Sequence, residues 1–189
     1  GSRCLTEKCA VERRAYPPGQ HGQNAGRGRK TSEYAKQMRE KQKVKRMYGL
    51  TETQFRTIYT RASHLPGVKG TNLLVALETR LDNIVYRMGF AASRRAARQL
   101  VRHGHVEVNG RKLDIPSYKV LPGQEVRVAP SDREMLAVKV AQDQASRGAT
   151  VSWLSVDAEK AAGRLLELPT RDAIPVNATE QLIVELYSK

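Results

Sequence analysis

The sequence predicts an α+β fold, and three observations carry that prediction. Between Thr51 and Gly89 apolar residues recur at helical spacing. After Gly104 the pattern changes to short alternating runs, "HVEV" and "RKLDI", on either side of Asn109-Gly110. The chain then closes on "NATEQLIVELYSK", where Asn177 with Glu180 three residues on predicts a helix. A strand through "LIVEL" is the alternative there. Helices, then strands, then a closing helix are the order of an α+β protein.

Residues 1–31 hold five arginines, the turn signal "YPPGQHG" and the Gly-rich "NAGRGRK". Almost free of large apolar groups, this arm cannot build a core of its own. It either orders against a partner or stays a disordered tail. "SEYAKQMREKQKVKRMYG" predicts a helix with Ser32 as N-cap and Gly49 just beyond its end. Lys41, Lys43, Lys45 and Arg46 crowd its last turns, more cations than the helix dipole calls for. In "LTETQF", Thr51 and Gln54 form a capping box, with Leu50 and Phe55 spaced as a hydrophobic staple. Phe55, Ile58, Tyr59 and Ala62 follow on one helix face until "SHLPGVKG" breaks the pattern. A third apolar series, Leu73, Leu77, Leu81, Val85 and Met88, ends at Gly89. Beyond the Asn-Gly hairpin signal come a turn at "LPGQ", a strand at "EVRV", a helix at "REMLAVKVAQDQASRG" and a strand at "GRLLEL". Trp153 in "VSWLSVD" is a core or interdomain anchor.

The 189 residues carry 33 Lys and Arg against 19 Asp and Glu, a formal charge of +14. The excess is uneven. Residues 1–50 carry 13 bases and 4 acids, and residues 51–130 carry 13 and 6, whereas residues 131–189 carry 7 and 9. A positive field confined to the first two thirds points to a polyanion, nucleic acid before an anionic membrane surface. No apolar run is long enough to span a bilayer, and residues 1–30 lack the apolar stretch of a signal peptide. The default compartment is the cytosol. The chain contains no nucleophile elbow, P-loop or paired carboxylates, which argues against an enzyme.

"SRRAARQLVRHGHVEVNG" concentrates the basic signal. On a helix capped by Ser93, Arg94, Arg98 and Arg102 fall at i, i+4 and i+8 on one face, while Ala97, Leu100 and Val101 turn inward. Arg95, His103 and His105 flank the stripe. Like charges at this spacing repel, and no carboxylate lies between Asp82 and Glu107 to offset them. Phosphate oxygens opposite the stripe would. The hairpin adds Arg111 and Lys112, with Tyr118 and Lys119 a turn later. Arginine forks match phosphate oxygens two at a time. Tyr118 is either a stacking ring or a half-buried strand residue.

"RLDNIVYRMGF" followed by "SRRAARQLVRHGHVEVNGRKLDIPSYKV" closely resembles the bacterial small-subunit ribosomal protein number four family and its namesake RNA-binding module. The resemblance extends to "RRAYPPGQHGQ", "REKQKVKRMYGL", "QFR" and the terminal "EQLIVELYSK", so it covers essentially the whole chain in order. It implies a helical domain, residues 46–90 and 173–189, interrupted by a mixed domain, residues 91–172, with an antiparallel sheet and helices on one side. An extended basic arm, residues 1–45, precedes both. It implies a structural constituent of the small subunit that binds 16S rRNA early in 30S assembly, at a junction of helices in the 5′ domain. It also implies contacts with small-subunit proteins number five and number three, a contribution to decoding accuracy, and a place on the channel by which mRNA enters. Matching positions make Arg94, Arg95, Arg98, Gln99, Arg102, His103, His105, Arg111, Lys112, Ser117, Tyr118 and Lys119 rRNA contacts. Arg13, Arg14, Tyr16, Gln20 and His21 match the family's arm, and Lys41, Lys43 and Arg46 its basic helix. An RNA-modifying or RNA-rescue protein carrying the same module is the alternative from another class.

Cys4 and Cys9, the only cysteines, are spaced C-x4-C. Two free thiols and half of a metal site both fit that spacing. The resemblance implies that a further upstream pair in a longer chain would complete a zinc or iron–sulfur site; either about twenty residues are absent ahead of Gly1, or Gly1-Ser2 is a cloning remnant. Without that pair no cofactor is expected. His21, His64, His103 and His105 form no ligand pattern, and in His103-x-His105 the basic setting favours RNA contact over chelation.

Overall fold

The computed structural model describes residues 6–23, 32–145 and 151–188. Its helices are α1 (Ala10–Arg13), α2 (Glu33–Met47), α3 (Glu52–Ser63), α4 (Lys69–Glu78), α5 (Leu81–Arg87), α6 (Arg94–Arg102), α7 (Leu136–Ala145) and α8 (Glu180–Tyr187). Its strands are β1 (Val106–Val108), β2 (Arg111–Lys112), β3 (Glu125–Val128), β4 (Leu154–Asp157) and β5 (Ala162–Leu165). The fold is α+β, as expected.

Two apolar cores organise these elements. The first is built by Val44, Tyr48, Leu50, Phe55, Tyr59, Ala62, Leu73, Leu74, Leu77 and Ile183. It therefore joins α2, α3 and α4 to the closing α8. The Thr51 capping box is complete: Gln54 N–H donates to the Thr51 hydroxyl and the Gln54 side chain accepts from Thr51 N–H. The Leu50–Phe55 staple fixes where the chain enters α3, and both residues are buried.

The second core takes Leu81, Ile84 and Val85 from α5 and Met88 at its C-cap, then Ala97, Leu100 and Val101 from α6. Val106, Val108, Val126, Val128, Val138, Trp153 and Leu165 complete it. The sheet is antiparallel throughout, in the order β2-β1-β3-β5-β4. Val106 faces Val128 and Val108 faces Val126 in register, so alternate side chains line the core. On the other face Arg127 reaches Glu107 at 2.7 Å. The hairpin between β1 and β2 turns at Asn109 (φ 49°) and Gly110 (φ 77°), the two positive values that a type I′ turn requires. Gly163 lets β5 approach α5, since a Cβ there would lie 2.9 Å from the Met88 sulfur.

Three expectations need correction. The apolar series from Leu73 to Met88 is not one helix: it breaks at Thr79–Arg80 and changes core there. The strand-like segment 116–120 competes for the backbone. Tyr118 carbonyl accepts from Leu81 N–H at 2.8 Å, and Val120 N–H donates to Thr79 carbonyl at 2.9 Å. The closing helix starts at Glu180 with Thr179 at its N-cap, not at Asn177. Ile174, Val176 and Ala178 are buried in the first core, and the bonds Val176 N–H to Ile174 carbonyl and Ala178 N–H to Val176 carbonyl keep that segment out of the helix. Finally, β4 was not expected as a strand. Only its tail alternates visibly, and Trp153 and Leu154 are both buried, which masks the period of two.

Candidate nucleic-acid interface

The local sequence dictates how α6 presents its arginines. Ser93 accepts from Ala96 N–H at 3.2 Å and starts the helix. Ala97, Leu100 and Val101 anchor one side in the second core. The adjoining side holds the expected stripe, but its members do different things. The Arg94 guanidinium stacks over Tyr48 at 4.8 Å and over Tyr86 at 4.7 Å. Its Nε donates to Asn83 Oδ1 at 2.8 Å, and Glu78 lies 4.0 Å from its terminal nitrogen. Arg98 reaches Asp82 at 3.4 Å. Of the three, Arg102 alone projects without a carboxylate partner among the described residues. The repulsion along the stripe is therefore relieved from α4 and α5, by Glu78 and Asp82, before any phosphate is considered. The gap in the sequence between Asp82 and Glu107 hid these partners, because they lie outside it.

The end of α2 and the start of α6 face each other across a cleft of about 860 Å³. Arg46, Tyr48, Tyr86, Ser93, Arg94, Arg95 and Arg98 are among its lining residues. Four of the arginines expected to touch RNA thus come together here from two separate stretches of chain. Arg46 and Arg95 are exposed and have no acidic partner among the described residues, and Arg98 is only partly engaged. The N-terminal N–H groups of α6 add to the positive potential. Such a cleft suits phosphodiester oxygens, which guanidinium forks take in pairs.

Other candidates are placed elsewhere. Gln99, His103 and His105 lie on a further side of α6, along a hollow of about 600 Å³ shared with Leu136 and Val140 of α7. His105 Nδ1 is 2.8 Å from Asp132, which holds that carboxyl below its ordinary range. Arg111, Lys112 and Tyr118 meet at the hairpin around a hollow of about 550 Å³. The Tyr118 ring packs against the second core and its hydroxyl accepts from Gln124 at 2.9 Å, so the half-buried reading fits it better than free stacking. Ser117 and Lys119 are exposed beside it. In the arm, Arg14, Tyr16 and Gln20 line a hollow of about 810 Å³, with Arg13 and His21 exposed nearby. Lys41 is buried and bonded to Glu52 at 2.7 Å, and Lys43 pairs with Glu40 at 2.7 Å. Both are taken up in ion pairs, whereas Arg39 and Arg46 of α2 are exposed and have no acidic partner among the described residues.

Cys4 lies outside the described residues, and Cys9 is buried beside α1. Among the described residues no group of three or more His, Cys, Asp or Glu is placed to hold a metal. The two cysteines by themselves do not fit a structural zinc or iron–sulfur centre. No described helix is long and apolar enough to cross a membrane.

Sequence reasoning missed the residues that support the cleft: Tyr48, Glu78, Asn83, Tyr86 and Arg87. A usable signal existed, because Glu78 and Asn83 interrupt the apolar stretch "LLVALETRLDNIV" at positions too close to its core face to be solvated. Burial acts to raise the Glu78 carboxyl. Hydrogen bonds and charge from Arg87, with bonds from Tyr48 and Asn83, outweigh it, so the group is held below its ordinary value. The Tyr48 phenol is pushed up, by burial first and by Glu78 second. At Glu52, burial is likewise outweighed, by Lys41, Lys45 and Tyr187, and the carboxyl is lowered from 4.5 to about 2. A carboxyl lowered in the folded state contributes stability that is complete above its ordinary pKa and is lost as pH falls through the folded one. Thermal midpoints followed by circular dichroism should therefore change little from pH 7 to about 5, then fall between pH 4.5 and about 2. A midpoint still flat at pH 2.5 would contradict the assignment.

A helical core carrying a capped arginine helix, an Asn-Gly hairpin and a basic cleft between α2 and α6 defines an RNA-binding protein. The match to family descriptions is specific: "Ribosomal protein S4/S9 N-terminal domain" covers residues 1–78 and "S4 domain" covers residues 79–126. The chain belongs to the family of small ribosomal subunit protein uS4, a family of ribosomal proteins and not of enzymes. It is 53% identical to the small ribosomal subunit protein uS4 of Thermodesulfovibrio yellowstonii, over 100% of this chain and 89% of that one. With the uS4 protein of Thermus thermophilus it shares 52% identity over 100% of this chain and 90% of the relative. With the uS4A protein of Myxococcus xanthus the figures are 55%, 100% and 89%.

Proposed function

We infer that the protein is a primary 16S rRNA-binding constituent of the small subunit, acting in the ribosome in the cytoplasm. Its work is binding. Basic side chains neutralise closely packed phosphates where helices of the 5′ domain meet, and hold that junction in one geometry early in 30S assembly. Contacts with small-subunit proteins five and three, decoding accuracy and a place on the mRNA channel follow from the same position. The observation that carries the reading is the cleft in which Arg46, Arg95 and Arg98 converge from two parts of the chain. The two cores support a helical unit interrupted by an inserted mixed unit. On this reading the helical unit passes into the mixed one near Thr79–Arg80, a placement supported by the packing of Leu81, Ile84, Val85 and Met88 in the second core.

Filter binding to 16S rRNA across a salt series tests this reading. If about eight phosphates are neutralised, the slope of log K against log salt is about −6 to −7. A slope shallower than about −2 would remove the electrostatic account.

A further inference from the structure

We propose that Glu78, buried at the end of α4, is a positioning residue for RNA binding that fixes the spacing between the two walls of the basic cleft. The proposal rests on the RNA-binding reading above and assigns the cleft a support that touches no RNA.

Both oxygens of the fully buried Glu78 carboxylate are engaged. Tyr48 Oη donates to Oε1 at 2.6 Å, Asn83 Nδ2 donates to Oε2 at 2.6 Å, and Arg87 donates to both at 2.6 and 2.9 Å. Asn83 also donates to the Glu78 carbonyl at 2.9 Å, which fixes its amide. With its nitrogen used in this way, the Asn83 oxygen is turned to accept from Arg94 Nε at 2.8 Å. Arg94 then lies between the Tyr48 and Tyr86 rings. One continuous set of bonds thus runs from Tyr48 at the end of α2, through Glu78 and Asn83, to Arg94 at the start of α6. These two ends are the walls of the cleft. Arg46 stands two residues before Tyr48, and Arg95 directly follows Arg94. Arg94 is a brace in this arrangement, and Arg46, Arg95 and Arg98 are the contacts it sets apart.

A buried ion pair contributes little net stability over apolar packing of the same volume, whereas its geometry is strongly directional. Holding a fixed spacing is a role that uses that direction.

The sign of one substitution separates this role from charge alone. Glu78→Gln keeps the shape and removes a negative charge, raising the formal charge above +14. Coulomb attraction by itself predicts RNA binding that is unchanged or tighter. Loss of positioning predicts about tenfold weaker binding and a salt slope shallower by about 1, since one phosphate contact goes out of register. Glu167→Gln, an exposed change of the same charge, should bind as tightly as the parent chain or more so. In the Glu78→Gln background Arg95→Ala should cost less than in the parent, because coupled sites do not add, whereas a merely stabilising Glu78 gives additive losses. If Glu78→Gln loses its helical circular dichroism, Tyr48→Phe replaces it, removing one bond and no charge, with binding about threefold weaker. Binding by either folded variant as tight as the parent's would overturn the proposal. Failure of the parent chain to bind 16S rRNA would instead overturn the functional reading on which it rests.

Discussion

A chain carrying Arg46→Glu and Arg95→Glu together is expected to bind 16S rRNA at least about a hundredfold more weakly than the parent at equal salt. Each substitution removes one charge-assisted contact and sets a carboxylate against phosphate. Such a contact contributes roughly 1.5–3 kcal/mol, so two of them exceed the roughly 2.7 kcal/mol that a hundredfold change represents. The two arginines suit the test because both are exposed and neither is ion-paired to a described residue, so little of the fold depends on them. Arg98 suits it less, because a glutamate there would face Asp82, now 3.4 Å from the guanidinium. The slope against log salt should become shallower by about 2. Arg164→Glu, which makes half that charge change on the exposed side of β5 in the acidic third, should change affinity by less than about threefold, the part left to long-range charge after screening. Equal losses for the two proteins would reject the cleft as the binding face.

Charge explains why this much was legible in advance. Arginine excess, the capped helix, the Asn-Gly turn and the capping box are local signals, and each appears in the structure where the sequence placed it. What the sequence concealed is pairing between distant residues. Glu78 and Asp82 neutralise arginines on another helix, and Lys41 is drawn into an ion pair with Glu52 on α3. A list of basic residues cannot separate those used inside the fold from those left for a ligand. The break at Thr79–Arg80 was concealed for the same reason. Leu77 and Leu81 keep helical spacing, yet they face different cores, because residues 116–120 bond to the backbone between them.

Phe55→Ala should produce the largest loss of stability among single substitutions in the helical unit. Phe55 is fully buried, closes the staple that starts α3, and stacks on Tyr187 of α8 at 6.4 Å between ring centroids. Tyr187 in turn stacks on Tyr59 at 4.4 Å, so the ring holds the closing helix to the first core. Truncating a buried phenylalanine costs about 3–5 kcal/mol, a large share of a typical domain's total of roughly 5–15. For a chain of this size that lowers the midpoint of thermal unfolding by about 6–20 °C. Circular dichroism reads the loss of helices, while the single tryptophan, Trp153, reports the second core by fluorescence. The Glu78 bonds to Arg87 and Asn83 join the cores across Thr79–Arg80, so both signals should fall together and shift by the same amount. A shift under about 3 °C would contradict the packing assigned to Phe55. A fluorescence midpoint that stays in place while the helical signal moves would mean that the cores unfold independently.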